Sequence, residues 1–368
     1  MSGPAARGEV AVIQAGSWGT TLATILAREG RQVMLWTRDP AQAEEIAAHR
    51  ENRRYLPGIR VPDSVVVTAD LDRALAAPDL IVAMPTVGVG ALRERVAPRL
   101  GREHRLLSAT KGLSPDHHRR MSELWSEALG RERVAVLSGP NISREIAAGL
   151  PSPTVVASAD PETARHFQAL VGTSMFRAYT NDDVVGVELC GALKNIIALG
   201  AGAIDGMGYG ENAKAGFMTR GLAEIARYAF AHGANPLTAA GLAGVGDLIA
   251  TCTSKHSRNR TVGELLARGV PLDRVRERMR GQVAEGIDTT AAVRAAAAAL
   301  GVAMPVTEQS YAVLFEGKPI REAMRDLMER ERGEELSGPL ADVGRLVAEV
   351  AARRRDPAPP AEAPPGRR

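Results

Sequence analysis

Short, almost unbroken apolar runs alternate with longer amphipathic stretches over the first half of the chain. The runs EVAVI (9–13), QVMLWT (32–37), SVVVT (64–68), DLIVAM (79–84), RLLSA (105–109), VAVLS (134–138), TVVAS (154–158) and MFRAY (175–179) have the length and β-branched content of buried strands. Between the first two lies SWGTTLATILAREG, a helical pattern closed by Gly30. These pieces make a βαβ unit of about 30 residues. After Asp183 the strand pattern stops, and helices are predicted over 184–204, 212–232, 236–251, 258–268, 288–300, 304–316, 319–331 and 339–354.

The pattern predicts an α/β fold. A doubly wound, mostly parallel sheet (9–183) is followed by an all-helical C-terminal domain (184–354). Residues 1–8 are expected to be a flexible segment and 355–368, rich in Pro and charge, a disordered tail. No run of about 20 uncharged apolar residues appears, and the N-terminus has no apolar signal core, so neither a membrane span nor a signal peptide is predicted.

At the first strand-to-helix turn, VIQAGSWGTTLA (12–23) nearly matches G-x-G-x-x-G. Gly16 and Gly19 hold the second and third glycine places; Gln14 holds the first. In such a turn the first glycine permits the tight bend, the second admits a pyrophosphate and the third lets helix and strand pack closely. If position 14 needs a left-handed backbone, Gln costs roughly 1–2 kcal/mol there. The second strand ends Thr37-Arg38-Asp39. Arg38 suits a 2′-phosphate, which favours NADP(H). Asp39 keeps NAD(H) open, unless it caps the next helix.

The net charge of +3 comes from scattered basic residues with no aromatic-basic stripe, which argues against nucleic acid and suits a small anionic ligand. Cys190 and Cys252 are the only cysteines. Their spacing suggests neither a disulfide framework nor a metal site, and a reducing cytoplasm is expected. Of 46 basic residues, five are lysine and the remaining 41 arginine. A chain that writes Arg wherever any cation serves keeps Lys where an amine is needed, because Lys can release its proton and Arg effectively cannot.

Several candidates fall where ligands bind, beyond the carboxyl ends of the strands: the loops MPT (84–86), TKG (110–112) with Lys111, and SGPN (138–141). Lys194 and Asn195 sit in the middle of VVGVELCGALKNIIALGAGA, a segment apolar on nearly every face. A buried lysine there requires a partner or a function. Asp247 is an isolated carboxylate in an apolar run, and SRNR (257–260) opens a helix with Ser257 or Asn259 as cap. Arg258 at that start makes an anion site.

Taken together, AGSWGTTLA, SATKGL, SGPN, the long segment beginning ELCGALKNIIALGAGAIDGMGYGENAKAG, AGVGDLIATCTS, SRNRTVGE and VAEG resemble the NAD(P)-dependent glycerol-3-phosphate dehydrogenase family, from about residue 9 to 350. The resemblance implies interconversion of sn-glycerol 3-phosphate and dihydroxyacetone phosphate, supplying glycerol 3-phosphate for phospholipid synthesis, by a cytoplasmic homodimer. It implies Lys194 as general base, with Lys111 and Asp247 beside it. It implies substrate contacts at Lys111, Gly139, Asn141, Lys194, Asn195, Asp247, Thr251, Ser257, Arg258 and Asn259. Cofactor contacts are implied at Gly16, Ser17, Trp18, Gly19, Arg38, Lys111, Ser143, Arg258, Val283 and Glu285, with no metal. A lysine serves as base only if burial or a neighbouring cation lowers its pKa toward neutrality. Three residues depart from the family pattern: Gln14 replaces Gly, Asn141 replaces Ser or Thr, and Ser143 replaces Ala. The alternatives are a catalytically idle homologue weakened at Gln14 and a related β-hydroxyacid dehydrogenase.

Overall fold

The eight predicted strands all form, and they pair into one sheet of order β3-β2-β1-β4-β5-β6-β7-β8. They are β1 (Val10–Ile13), β2 (Val33–Trp36), β3 (Val66–Thr68), β4 (Asp79–Val82), β5 (Arg105–Ser108), β6 (Val134–Ser138), β7 (Ser152–Ser158) and β8 (Phe176–Asn181). Every neighbouring pair is parallel except β6 with β7. The computed structural model describes residues 9–115, 118–279 and 283–331, with Glu335, Ala341 and Arg345. All elements named here lie within Met1–Arg330, which is one compact unit. The N-terminal segment 1–8, the tail 355–368 and, apart from Ala341 and Arg345, the helix expected over 339–354 lie outside the described residues.

Helices cover both faces of the sheet: α1 (Ser17–Arg28), α2 (Pro40–His49), α3 (Leu71–Ala74), α4 (Val89–Val96), α5 (Met121–Leu129), α6 (Ser143–Ala147) and α7 (Pro161–Val171). This is why the strands read as continuous apolar runs. Side chains alternate between the two faces. Val10 and Val12 of β1 enter the core with Leu22 and Leu26, while Ala11 and Ile13 enter the opposite core with Met34 and Trp125. The strand order reverses between β1 and β4, and the crevice at their carboxyl ends is the ligand position of such sheets.

The helical half comprises α8 (Val184–Met207), α9 (Glu211–Ala231), α10 (Asp247–Thr253), α11 (Arg258–Ala267), α12 (Leu272–Arg278), α13 (Glu285–Ala299), α14 (Pro305–Phe315) and α15 (Ile320–Met328). By length and composition α8 is apolar enough to cross a membrane, but 78% of its most apolar window is buried inside the protein. It is the central helix of this half. The single helix expected over 236–251 is instead a 3₁₀ turn (Pro236–Ala240), a π turn (Leu242–Gly246) and α10. Gly241, in extended conformation, breaks it. Helix α12 was not visible in the apolar pattern, since LDRVRER buries only Val275.

Glycines let α8 and α11 touch backbone to backbone. A Cβ on Gly263 of α11 would lie 1.8 Å from the Leu199 carbonyl oxygen, and one on Gly202 of α8 would lie 1.9 Å from that of Arg260. Gly216 of α9, by contrast, has open space around it. Gly263→Ala is therefore expected to destabilise the protein by about 2 kcal/mol or more through forced separation of the helices. Gly216→Ala should be neutral or stabilising by up to about 1 kcal/mol through helix propensity. Urea denaturation of both variants checks the contrast.

Candidate active site

The turn after β1 is fully formed with Gln14 in it. Gln14 has φ +85°, the region that favours glycine. Its N–H donates to the Trp36 carbonyl at 2.8 Å, and its own carbonyl accepts from Gly16 N–H at 2.9 Å. The Ala15 carbonyl accepts from Gln42 Nε2 (2.8 Å) and Asn52 Nδ2 (2.9 Å), which ties the turn to the segment beyond β2. A Cβ on Gly19 would sit 2.1 Å from the Gln14 carbonyl oxygen, so the third glycine permits the close packing expected of it. Gly16 faces open space and caps α1 without any side-chain hydrogen bond. The start of α1 at Gly16 is thus open and uncapped by any side chain, as an anion site requires. The price of the turn falls on Gln14, whose buried Oε1, like Trp18 Nε1, has no hydrogen-bond partner.

At the end of β2 the ambiguity between Arg38 and Asp39 narrows. Asp39 caps α2, accepting from Ala41 N–H (3.1 Å) and Gln42 N–H (3.4 Å). Arg38 is exposed.

The strongest electrostatic feature lies farther along the same rim. Asp247, the first residue of α10, is 1% exposed and holds two ammonium groups. Lys194 Nζ of α8 donates to its Oδ1 at 2.6 Å, and Lys111 Nζ, from the loop after β5, donates to its Oδ2 at 2.7 Å. Lys194 also donates to Thr251 Oγ1 (2.5 Å), one turn along α10 from Asp247, and Lys111 donates to the Gly139 carbonyl (2.8 Å). Lys194 is therefore buried and paired, as its apolar surroundings demanded. Burial alone would raise the Asp247 pKa, but the two cations outweigh it and hold the carboxyl below its ordinary value. Burial, with Lys194 adding to it and Asp247 opposing, brings Lys111 down to about 8.

A second network adjoins this one. Asn259 Nδ2 donates to Asn195 Oδ1 (2.9 Å), and Asn259 Oδ1 accepts from Gly286 N–H (3.0 Å). Its side-chain amide therefore joins α8, α11 and α13. Ser257, not Asn259, is the cap of α11, accepting from Arg260 N–H at 3.3 Å. Arg258, the first residue of α11, is exposed. Glu285 begins α13, just after half-buried Val283, and accepts from Thr86 Oγ1 at 2.9 Å. Burial raises Glu285 to about 7, opposed by the Thr86 hydrogen bond and by Arg258. Asn141 Oδ1 accepts from Thr154 Oγ1 (3.3 Å), and the Ser143 carbonyl accepts from Thr21 Oγ1 (3.1 Å), which links α6 to α1. Thr86 was missed from sequence; its loop was noticed, but no spacing rule pairs it with a residue 199 positions away. Among the described residues no group of three or more His, Cys, Asp or Glu is placed to hold a metal ion.

Comparison with known proteins gives a consistent picture. The N-terminal model of NAD-dependent glycerol-3-phosphate dehydrogenase matches residues 9–164, and the C-terminal model matches 183–325. A glycerol-3-phosphate dehydrogenase [NAD(P)+] of Chlorobium limicola is 48% identical over 336 residues, covering 89% of this chain and 99% of the relative. One from Geobacillus kaustophilus is 47% identical, covering 92% and 98%. The crystal structure of glycerol-3-phosphate dehydrogenase from Coxiella burnetii is similar with a TM-score of 0.85 and 37% identity, covering 88% of this chain and 99% of that one.

Two substitutions test the geometry. Asp247→Asn leaves two buried ammonium groups without their anion and should cost about 3 kcal/mol of stability near neutral pH. In that variant Lys111 loses the carboxylate that opposes its lowering and falls further below the unfolded value of about 10.4, so the deficit should shrink as pH rises toward it. Urea denaturation at neutral and alkaline pH reads this. Gln14→Gly should stabilise the free protein by roughly 0.5–1 kcal/mol, the backbone strain relieved less the extra freedom of unfolded glycine. A less stable variant would mean that the Gln14 side chain contributes more than its backbone costs.

Proposed function

The chain belongs to the NAD-dependent glycerol-3-phosphate dehydrogenase family, and from that premise we propose that it interconverts sn-glycerol 3-phosphate and dihydroxyacetone phosphate with a nicotinamide cofactor. The observation that carries the proposal is Lys194, buried on α8 and held by Asp247 within a cluster that Lys111 completes from the sheet rim. The residues fit the cofactor: Gly16 leaves the start of α1 open to a pyrophosphate, and no side chain occupies the first-turn N–H groups. Gly16, Ser17, Trp18 and Gly19 would hold it, with Ser143, Val283, Glu285, Lys111 and Arg258 along its length. The nicotinamide supplies the hydride acceptor or donor, and the protein supplies position and the proton.

In oxidation, Lys194 Nζ takes the proton of the substrate hydroxyl; in reduction, the same ammonium returns it to the carbonyl oxygen. The shared carboxylate makes this exchange less costly. When either amine is neutral, Asp247 keeps a cation on its other oxygen and is never buried unpaired. Arg258 and the start of α11 at Ser257 would grip the substrate phosphate. Gly139, Asn141, Asn195, Thr251 and Asn259 would shape the rest of the pocket. For Asn259 and Thr251 this role is partly indirect, since their side chains already bond within the protein.

NADP(H) is the favoured cofactor. Asp39 is committed to capping α2, while Arg38 stands exposed at the end of β2 where a 2′-phosphate would lie. Production of glycerol 3-phosphate for phospholipid synthesis, a boundary between nucleotide and catalytic domains at α8, and a homodimer complete the reading. Two buried free thiols, Cys190 and Cys252, suit a reducing cytoplasm. Neither the turn at Gln14 nor the family match favours an idle homologue or a carboxylate substrate.

The test is reduction of dihydroxyacetone phosphate with NADPH and with NADH in turn. Turnover is expected with both and more efficiently with NADPH. Lys194→Ala should abolish turnover while leaving NADPH binding, followed by fluorescence, largely intact; a fully active variant would remove Lys194 from its role.

A further inference from the structure

A second contact crosses from the sheet rim to the helical half. Thr86, in the turn after β4, is 2% exposed, and its hydroxyl donates to Glu285 Oε2 at 2.9 Å. Space for this bond is kept by Gly112, next to Lys111 and at φ +141°. A Cβ there would lie 2.7 Å from Thr86 Cγ2 and 3.4 Å from Glu285 Oε2. Glu285 is also anchored from behind. The N–H of its neighbour Gly286 donates to Asn259 Oδ1 at 3.0 Å, and Asn259 follows Arg258 directly. One hydrogen bond thus clamps the pair 285/286 to the pair 258/259, which keeps the Glu285 carboxylate within electrostatic reach of the Arg258 guanidinium.

We infer that Thr86 is a positioning residue that, through Glu285, sets how strongly Arg258 holds the substrate phosphate. The inference rests on the family reading of Arg258 as a phosphate ligand and adds a competitor to it. An ionised Glu285 offsets the positive charge of Arg258, and a neutral one leaves that charge to an incoming dianion. The charged and polar groups acting on Glu285 among the described residues are Thr86 and Arg258, which favour its ionised form, and Asp288, one turn along α13, which disfavours it. Because burial brings Glu285 to about 7, the competition switches within the physiological range. The sign is fixed: anion affinity is high below that pH, where Glu285 is neutral, and falls as pH rises through it. Removing the Thr86 hydroxyl withdraws a hydrogen bond to the ionised form, so the switch moves to higher pH.

Sulfate is the suitable probe, since it keeps its double charge across this range while a phosphate ester does not. Its dissociation constant is measured by calorimetry on the full chain from acid to alkaline pH. The wild-type protein should bind more weakly as pH rises, in a step near 7, with a second step near 8 as Lys111 loses its charge. In Thr86→Val the lower step should move up by roughly half a pH unit, the size of one ordinary hydrogen bond. Thr86→Ser, which keeps the hydroxyl, should restore the wild-type profile, and Glu285→Gln should lack the lower step while keeping the upper one. Should Thr86→Val fail to fold, Thr86→Ala, which equally lacks the hydroxyl, reads the same upward shift beside Glu285→Gln. A wild-type profile without the lower step, an unmoved step in Thr86→Val, or a retained lower step in Glu285→Gln would overturn the inference. Turnover of dihydroxyacetone phosphate by the wild-type protein reports separately on the family reading, so the two can fail independently.

Discussion

One buried carboxylate shared by two ammonium groups governs the organisation of this protein. Asp247 arrives on α10, Lys194 on α8 and Lys111 from the sheet, so the cluster exists only when sheet and helices are docked. Isolated, each charge would cost several kcal/mol to bury. Together, with both amines protonated, they leave one net positive charge. Below about pH 8, where Lys111 keeps its proton, that surplus makes the site an attractor for an anion. It also explains why Lys111 is poised near neutrality, with burial and a neighbouring cation acting together against a carboxylate that another amine already engages.

Getting Lys194 into that position requires a helix buried on all sides, and α8 is built for close company at the expense of propensity. It carries Gly186, Gly191, Gly200, Gly202 and Gly206, each less favourable than Ala by up to about 1 kcal/mol in a helix interior. Against this, Leu189, Leu193, Ile196, Ile197 and Ile204 are buried, each worth about 1.5–3 kcal/mol. Burial wins, and the glycines convert the surplus into proximity. With α11 lying directly on α8, Asn259 reaches Asn195 and its other side reaches Gly286. Helices α8 and α13 are thereby joined to α11 by one amide, and a shift of α11 would be felt at both.

Much of this was legible in the chain because the same physics leaves a pattern there. Eight apolar runs became eight strands because a parallel sheet covered on both faces has no polar positions to interrupt them. Lys194 declared itself by standing in apolar company, and Ser257 by preceding a helix. What stayed hidden depends on contacts between distant segments. The Thr86–Glu285 bond spans 199 positions. The break at Gly241 looked like a continuous helix because the apolar residues on either side keep helical spacing. The lowered pKa of Lys111 follows from its burial beside Lys194 and Asp247, which no local window contains.

Gln14 shows why a sequence alarm needs a thermodynamic cycle before it becomes a statement about binding. Its positive φ belongs to the folded turn itself, fixed by the hydrogen bonds to Trp36 and Gly16, so the strain bears on folding. A cost carried equally by the free and the bound protein cancels from the binding free energy. Only the bulk of the side chain and its unpartnered Oε1 remain to influence affinity directly. The compact unit that carries this turn has large buried cores on both faces of its sheet, and a penalty of about 1–2 kcal/mol is absorbed there without altering the hydrogen bonds from Gln14 to Trp36 and Gly16. A missing first glycine therefore bears on stability before it bears on function, provided, as here, that the second glycine still faces open space.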